Sequence, residues 1–304
     1  MNDLNTNLYC CNCSKFGHTI RNCPEPKISV GMICVKIHGI PYNINLHVID
    51  KYFDVDSFNY SNISNISIMD EYTENIKFLL VRRKYSLNYL EFIRGNYDFD
   101  NLDNLKKILS LMSKDEIQII KNNTFEYLWN SLWKTTSNHK IYKKEFIMSQ
   151  NKFNCLKDKY FYIFDEINSW DETEWELPKG RRNNFETNIN VAIREFQEET
   201  GLNENDYTIL KNIQGINDTF IGTNNKKYKH IYFLSLANDQ VKLEKDCEDD
   251  YEISEVKWLT LEESIKKIRP FYKSKISILN SVYFFILNMC EVNKKFYQNQ
   301  MVLN

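Results

Sequence analysis

Glycine and proline are scarce in this sequence, and neither sign of charge dominates. The 304 residues include 8 glycines and 5 prolines and are rich in Asn, Ile, Lys, Tyr and Phe, a composition typical of an AT-rich genome rather than of a low-complexity chain. The formal charge is -2, from 39 basic and 41 acidic residues, which excludes an overall affinity for polyanions. Any nucleic-acid surface must therefore be local. The length is sufficient for one large domain with an appendage, or for two domains.

Long apolar runs are also absent. The start of the chain has no basic region followed by an apolar segment, so we expect no secretory signal. The most apolar stretch, Ile276 to Cys290, is interrupted by polar residues and is too short to span a bilayer, so it predicts a buried terminal helix. We therefore expect a cytoplasmic protein with reduced thiols and no membrane partner.

Eight cysteines are present, and four of them lie in the first 23 residues. The sequence from Tyr9 reads YCCNCSKFGHTIRNCP, and the spacing C-x2-C-x4-H-x4-C is formed by Cys10, Cys13, His18 and Cys23. Three thiolates and one imidazole are the ligand set of a closed tetrahedral zinc site, and a segment this short cannot fold without metal. The spacing resembles a retroviral-type CCHC zinc knuckle, which we expect at residues 1–27.

The knuckle has two possible roles. It can stabilise the local structure without binding a ligand, or it can contact RNA. Cys11 and Ser14 stand where such knuckles usually have an aromatic residue and a glycine, whereas Phe16 is available to stack on a base. Both roles stay open on the sequence alone. Cys11 is expected to be free, and the cysteines expected to be buried apolar thiols are Cys34, Cys155, Cys247 and Cys290.

The residues after the knuckle predict a mixed fold. Ile28 to Gly39 and Ile76 to Arg83 alternate like strands, and the Asn- and Ser-rich segment between them predicts a loop. From Ser86 to about Cys155 apolar residues recur every three or four positions, as in helices. Strands are expected near Trp175, in KHIYFLSLA and in EISEVKWLT, with a helical tail after Leu261. This pattern predicts an α+β domain at 28–304, with an all-helical insertion at about 85–155.

Four glutamates crowd the segment PKGRRNNFETNINVAIREFQEETGL, from Pro178 to Leu202. Asn188 or Asn190 can cap a helix that runs to Thr200, and Gly201 is a natural C-terminal stop. The segment therefore predicts a loop followed by a helix of about three turns.

Three of the glutamates share one edge of this predicted helix. At about 100° per residue, Glu195, Glu198 and Glu199 lie beside an apolar stripe. Arg194 lies one turn before Glu198 and can form an ion pair with it, and Glu186 can fold back from the loop. Carboxylates this close repel each other unless a hard cation neutralises them, and ligation by oxygen suits magnesium or manganese. The alternative is a solvated helix with an acidic face.

The spacing G-x5-E-x7-R-E-F-x-E-E-x-G-L, from Gly180 to Leu202, resembles the Nudix box at every defining position. The resemblance implies an α/β/α sandwich with a mixed sheet, and hydrolysis of a nucleoside diphosphate linked to another moiety. It implies Glu198 and Glu199 as the principal metal ligands, with Glu195 and the Gly180 carbonyl as further ones. Arg194 is implied as the positioning cation.

The flanking sequences are similar to the viral mRNA-decapping members of that family, from poxviruses, giant viruses and African swine fever virus. The similar segments are EWELPKGRR, RRKYSLNYLEFIRGNYDF with the helical region after it, and the knuckle followed by PEPKISVGMICVKI. The resemblance covers most of the chain and is densest at 76–99 and 170–202. One departure is Glu176, where the pattern W-G-[FL]-P-K-G has glycine.

The same resemblance implies a carboxylate outside the box. Decapping Nudix proteins have a glutamate in a strand of the form E-I-x-x-φ-x-W, and YEISEVKW places Glu252 at that point. We expect Glu252 to be a catalytic metal ligand, with Glu255 and Asp250 as alternatives. A solvated loop is the competing interpretation of this acidic run.

Basic residues near the box are candidates for substrate contact. Lys179, Arg181 and Arg182 are expected to bind phosphates or RNA, and Arg82, Arg83 and Arg94 are weaker candidates. The competing interpretation for each is a solubilising surface charge.

The resemblance implies cleavage of the 5′ cap pyrophosphate of mRNA, with release of m7GDP and 5′-monophosphate RNA. The cofactors are then Mg2+ or Mn2+ with a structural Zn2+, the partner is capped mRNA, and the site of action is the host cytoplasm or the virion. Two alternatives remain on the sequence alone. One is a small-molecule Nudix pyrophosphatase acting on diphosphoinositol polyphosphates or nucleotides, and the other is a catalytically idle RNA-binding protein.

Overall fold

The computed structural model describes residues 8–39, 74–133, 139–222, 226–247 and 250–301. The loop predicted between the first two long strands lies outside these ranges. The strands are β1 Tyr9–Cys10, β2 Lys15–Phe16, β3 Lys27–Ile37, β4 Ile76–Arg83, β5 Trp175–Glu176, β6 Lys179–Gly180, β7 Tyr207–Ile209, β8 Ile216–Ile221, β9 Lys227–Ala237 and β10 Ile253–Thr260.

Helices fill the long interval between β4 and β5 and follow β6 and β10. They are α1 Leu87–Ile93, α2 Leu102–Ser110, α3 Lys114–Asn122, α4 Phe125–Leu132, α5 His139–Tyr160, α6 Ile163–Glu166, α7 Asn188–Thr200, α8 Leu261–Lys267 and α9 Lys273–Met301. The predicted long strands, helical interval and helical tail are confirmed. The short strands β6, β7 and β8 were not predicted.

The chain forms two compact units. The first comprises residues 1–81, 175–245 and 256–304, and the second comprises residues 82–174 and 246–255. The predicted insertion at about 85–155 falls within the second unit, and its boundaries as a domain stay a prediction.

The sheet is mixed, as predicted. Its strand order is β10-β4-β3-β9-β7, with β5 paired to β4, β6 to β3 and β8 to β9. The two central strands, β3 and β9, are parallel and stay in register from Lys27 opposite Tyr228 to Val35 opposite Leu236. Strands β4, β6, β7 and β8 pair antiparallel with these two.

Alternation along β3 gives the sheet two apolar faces. Ile33, Val35 and Ile37 belong to the core beneath α9, whereas Val30, Met32 and Cys34 belong to the core beneath α7. Helices therefore cover both faces, as in the predicted α/β/α sandwich.

Gly31 brings β6 close to β3. A Cβ on Gly31 would lie 2.0 Å from the Pro178 carbonyl oxygen, and Gly31 pairs with Lys179 in the ladder. Only glycine allows this backbone approach.

The second unit has a core of its own, contributed by α1 to α6. Glu116 is buried there and accepts backbone N–H bonds from Ser113 at 2.8 Å and from Ser86 at 2.6 Å. Ser113 and Ser86 are the N-cap residues of α3 and α1. One carboxylate therefore satisfies the starts of two helices.

The thiol prediction is partly wrong. Cys34 and Cys290 are buried as expected, but Cys155 is exposed and Cys247 is half-buried. Cys155 lies on a face of α5 that does not enter the core, so the general tendency of free thiols to be buried does not hold for it. Within the described residues, none of the helices has the length and apolar character needed to cross a membrane.

Candidate active site and zinc knuckle

The predicted Nudix segment forms a short strand, a loop and a helix. Thr187 is the N-cap of α7, and its hydroxyl accepts the N–H of Asn190. This corrects the sequence expectation of a cap at Asn188 or Asn190, which fall inside the helix. Gly201 ends α7 with a φ of 77° and donates its N–H to the Gln197 carbonyl, as expected.

Arg194 lies at the centre of the acidic group. Its guanidinium forms two hydrogen bonds with Glu186, at 2.8 and 3.0 Å, and bonds with Glu195 at 2.7 Å and Glu198 at 3.0 Å. It also donates to the Arg181 carbonyl at 2.9 Å. These bonds raise the pKa of Arg194 and lower the pKa of Glu186. The predicted Arg194–Glu198 pair and the folding back of Glu186 are therefore confirmed as geometry.

Gly180 leaves room for the carboxylate of Glu195. A Cβ at Gly180 would lie 1.9 Å from a Glu195 carboxylate oxygen. Gly180 is paired with Val30 in the sheet, so its backbone position is fixed from the other side. The glycine of the box is thus required by the glutamate that follows fifteen residues later in the chain.

Glu199 points inward. Its side chain accepts the Lys179 backbone N–H at 2.9 Å, and the residue is 5% exposed. Burial raises the pKa of Glu199 to about 8, and the nearby carboxylates of Glu176 and Glu195 add to this against the opposing charge of Lys179. A buried carboxylate with these neighbours needs a further positive charge to be ionised at neutral pH.

The box carboxylates fit a divalent cation by donor type, although they do not converge on one point. Glu195 and Glu198 are bonded to Arg194, whereas Glu199 faces the Lys179 N–H. All donors are oxygens, the ligands preferred by hard cations.

The position that departs from the family pattern is buried beside this site. Glu176 is 4% exposed, and its carboxylate lies 2.5 Å from the Lys179 ammonium and 3.8 Å from that of Lys275. Lys179 was expected to bind phosphate, and its charge is paired internally instead. That contact with substrate stays a prediction.

The four predicted zinc ligands come together. The ligand atoms of Cys10, Cys13, His18 and Cys23 all lie within 4.8 Å of one another, the only such group of three or more in the described residues. Gly17 has a φ of 99°, a conformation that favours glycine and allows the tight turn before His18. Soft thiolates with one imidazole fit a structural zinc ion.

The knuckle contacts the catalytic loop directly. Arg182 donates to the backbone carbonyls of Cys11 at 3.1 Å and Asn12 at 2.8 Å, and also to the side chain of Asn188. Asn12 in turn bonds to Cys23 and to the N–H of Ile28. No local pattern in the sequence indicates this arrangement, because it joins residues about 170 positions apart. Arg181 is exposed.

The remaining candidates belong to the second unit. Arg82 pairs with Glu172 and Glu255, both at 3.3 Å, and the Arg94 guanidinium lies 5.6 Å from the centre of the Trp133 ring. Glu252 is exposed, and its hydrogen bonds here are made by the main chain: its carbonyl accepts the Lys84 N–H at 2.7 Å, and its N–H donates to the Asp250 carboxylate. The catalytic role of Glu252 stays a prediction.

Comparison with known proteins agrees with this geometry. The NUDIX domain model matches residues 161–279. A putative mRNA-decapping protein of Acanthamoeba polyphaga mimivirus is 33% identical over 92% of this chain and 94% of its own length. The chain therefore belongs to the Nudix family.

Two further similarities were found. An mRNA-decapping protein of African swine fever virus is 32% identical over 64% of this chain and 82% of its own length. Among solved structures, an Ap4A hydrolase of C. elegans is 13% identical, with a TM-score of 0.40 over 86% of this chain and 98% of that one.

Proposed function

We propose that this chain hydrolyses the pyrophosphate of the 5′ cap of mRNA and releases m7GDP and 5′-monophosphate RNA. The main support is the complete Nudix box held together by Arg194, in a chain similar over 92% of its length to a protein named for mRNA decapping. Small-molecule hydrolysis requires neither the knuckle nor the helical unit, which are both present here.

The chemistry needs a divalent cation, for which we propose magnesium or manganese. Such a cation neutralises the phosphates and lowers the pKa of an attacking water. Glu198, Glu199, Glu195 and the Gly180 carbonyl are the proposed ligands, with Glu252 as the additional carboxylate. A zinc ion is proposed in the knuckle.

The other side chains of the site have separate proposed roles in catalysis. Arg194 fixes Glu186, Glu195 and Glu198 against mutual repulsion, so the acidic edge is organised before substrate arrives. A carboxylate of the site, for which Glu252 is proposed, accepts the proton of the attacking water as general base. Lys179 and Arg181 are proposed to contact the phosphates. We propose the host cytoplasm or the virion as the site of the reaction, because capped mRNA is the proposed substrate.

The direct test uses RNA labelled in its cap. We expect release of labelled m7GDP with Mg2+ or Mn2+, and a fall in rate of at least about a hundredfold in Glu199→Gln. Glu262→Gln is the matched control, because Glu262 is exposed, pairs with Lys266 and lies outside the box. Equal rates for Glu199→Gln and wild type would refute the assignment. Hydrolysis of a diphosphoinositol polyphosphate but not of capped RNA would favour the small-molecule alternative.

A further inference from the structure

Three aromatic rings meet where the knuckle touches the Nudix loop. Tyr9 and Phe185 are stacked, with ring centres 4.3 Å apart and planes 24° from parallel. Phe16 packs edge-on against Tyr9 at 5.3 Å and lies 6.5 Å from Phe185. We call these three residues the aromatic surface.

The aromatic surface faces solvent. Phe185 is 71% exposed and Phe16 is 61% exposed, although each is an aromatic residue of the kind usually found inside. Tyr9 covers one side of the Phe185 ring, so most of that exposure belongs to the other side. The surface therefore offers open ring faces.

The backbone holds Phe185 in an unusual conformation. Its φ is 62°, in the left-handed region that a bulky residue rarely adopts. Such a conformation persists where the surrounding structure maintains it, and it is concentrated at functional sites. Arg182, three residues earlier, fixes the loop to the knuckle carbonyls, and Glu186, the next residue, is bonded to Arg194. The aromatic surface and the acidic group are therefore adjacent in the chain, at Phe185 and Glu186.

The segments that carry the aromatic surface also carry basic residues. Residues 8–27 contain Lys15, Arg21 and Lys27 against Glu25 as the single acidic residue, and Glu25 pairs with Lys15 at 2.9 Å. Arg181 is exposed on the Nudix loop. Open ring faces next to cations are the combination by which proteins bind single-stranded nucleic acid, with bases on the rings and phosphates on the cations.

We propose that the aromatic surface binds single-stranded RNA by stacking bases on Phe16 and Phe185. The knuckle and the Nudix loop build this site jointly, and neither segment contains it alone. The proposal rests on the proposed function only in that the bound strand is the body of the substrate RNA. It assigns Phe185, a loop residue of the Nudix box, to RNA retention rather than to pyrophosphate chemistry.

The test measures binding of a fluorescein-labelled oligoadenylate with a 5′-hydroxyl end to the full chain carrying Glu199→Gln. This probe has neither a cap nor a terminal phosphate, so it reports on the strand alone. Phe16→Leu and Phe185→Leu keep an apolar side chain but remove the ring, whereas Phe16→Trp and Phe185→Trp keep a ring. We expect the double Leu variant to bind about tenfold or more weakly, and the Trp variants to bind as tightly as the parent.

Two controls separate stacking from misfolding and from exposed rings in general. Zinc content and far-UV circular dichroism of each variant show whether the knuckle and loop are intact. Phe271→Ala removes another exposed ring of the same unit and is expected to bind normally. Undiminished oligoadenylate binding by a correctly folded double Leu variant would overturn the proposal. A protein would then be the favoured ligand of the aromatic surface. If wild type fails to decap RNA while binding still depends on the rings, the proposed function falls and the aromatic surface stands.

Discussion

Glu176 introduces a carboxylate into a stretch where the family pattern has glycine. The carboxylate is buried and pairs with Lys179, whose backbone N–H holds Glu199. Glu176 therefore compensates the charge of a lysine that would otherwise be buried unpaired beside the proposed metal site. Glutamate at this position gives the Lys179 ammonium an internal partner. The backbone pairing is retained, because β5 and β6 still pair with β4 and β3.

We expect Glu176→Gln to lower the free energy of unfolding by about 3 kcal/mol, because breaking a buried ion pair leaves its partner uncompensated. Chemical denaturation measures this change. The matched variant is Glu176→Gln with Lys179→Met, which removes both charges of the closer pair and should recover part of the loss, while Lys275 at 3.8 Å keeps its charge. A single Gln variant as stable as wild type would show that other groups already neutralise Lys179.

At the scale of elements, the starts of α1 and α3 depend on one side chain. Glu116→Gln keeps the size of the side chain but replaces one acceptor oxygen by an NH2 group, so one of the N–H groups of Ser86 and Ser113 loses its acceptor. We expect a loss of about 2 kcal/mol, larger than the roughly 1 kcal/mol for a single cap such as Thr124→Ala at α4. No loss of stability in thermal or urea unfolding would mean that Glu116 caps only one helix, because the remaining amide oxygen could then serve it.

Local patterns predicted those elements whose residues carry their own periodicity. The spacing of Arg194 and Glu198 placed an ion pair one helical turn apart, and alternation in β3 and β9 predicted both central strands. β6 is only two residues long and exists because Gly31 admits its backbone, which no local pattern encodes. The contact of Arg182 with Cys11 and the stack of Phe185 on Tyr9 join distant segments, so neither could be predicted.

At the scale of the whole molecule, the zinc site and the catalytic loop are one assembly within the first unit. We expect loss of the proposed zinc ion to unfold the knuckle and to remove the carbonyl partners of Arg182. The loop that carries Glu186 to Arg194 then loses its support.

We expect Cys13→Ser to lower zinc content and, in the same proportion, the rate of hydrolysis of a cap dinucleotide. This substrate has no RNA body, so the loss would report on the catalytic loop and not on retention of the strand. Cys11→Ser is the control, since Cys11 is not among the convergent ligands. Full activity of the zinc-depleted Cys13→Ser protein on the dinucleotide would show that the knuckle does not support the loop.

Gly31 and Gly180 each lie against a neighbouring group that leaves no room for a side chain, and a substitution at each position is expected to be harmful in a different way. At Gly31 an added methyl group would collide with the main-chain carbonyl oxygen of Pro178, which cannot move aside. We expect the variant to misfold and to be degraded, which lowers its abundance in the cell. At Gly180 the obstacle is the end of the Glu195 side chain, which can rotate away and leave a folded chain in which this proposed metal ligand is displaced. A screen that scores abundance would detect the first position, and a screen that scores turnover would be needed to detect the second.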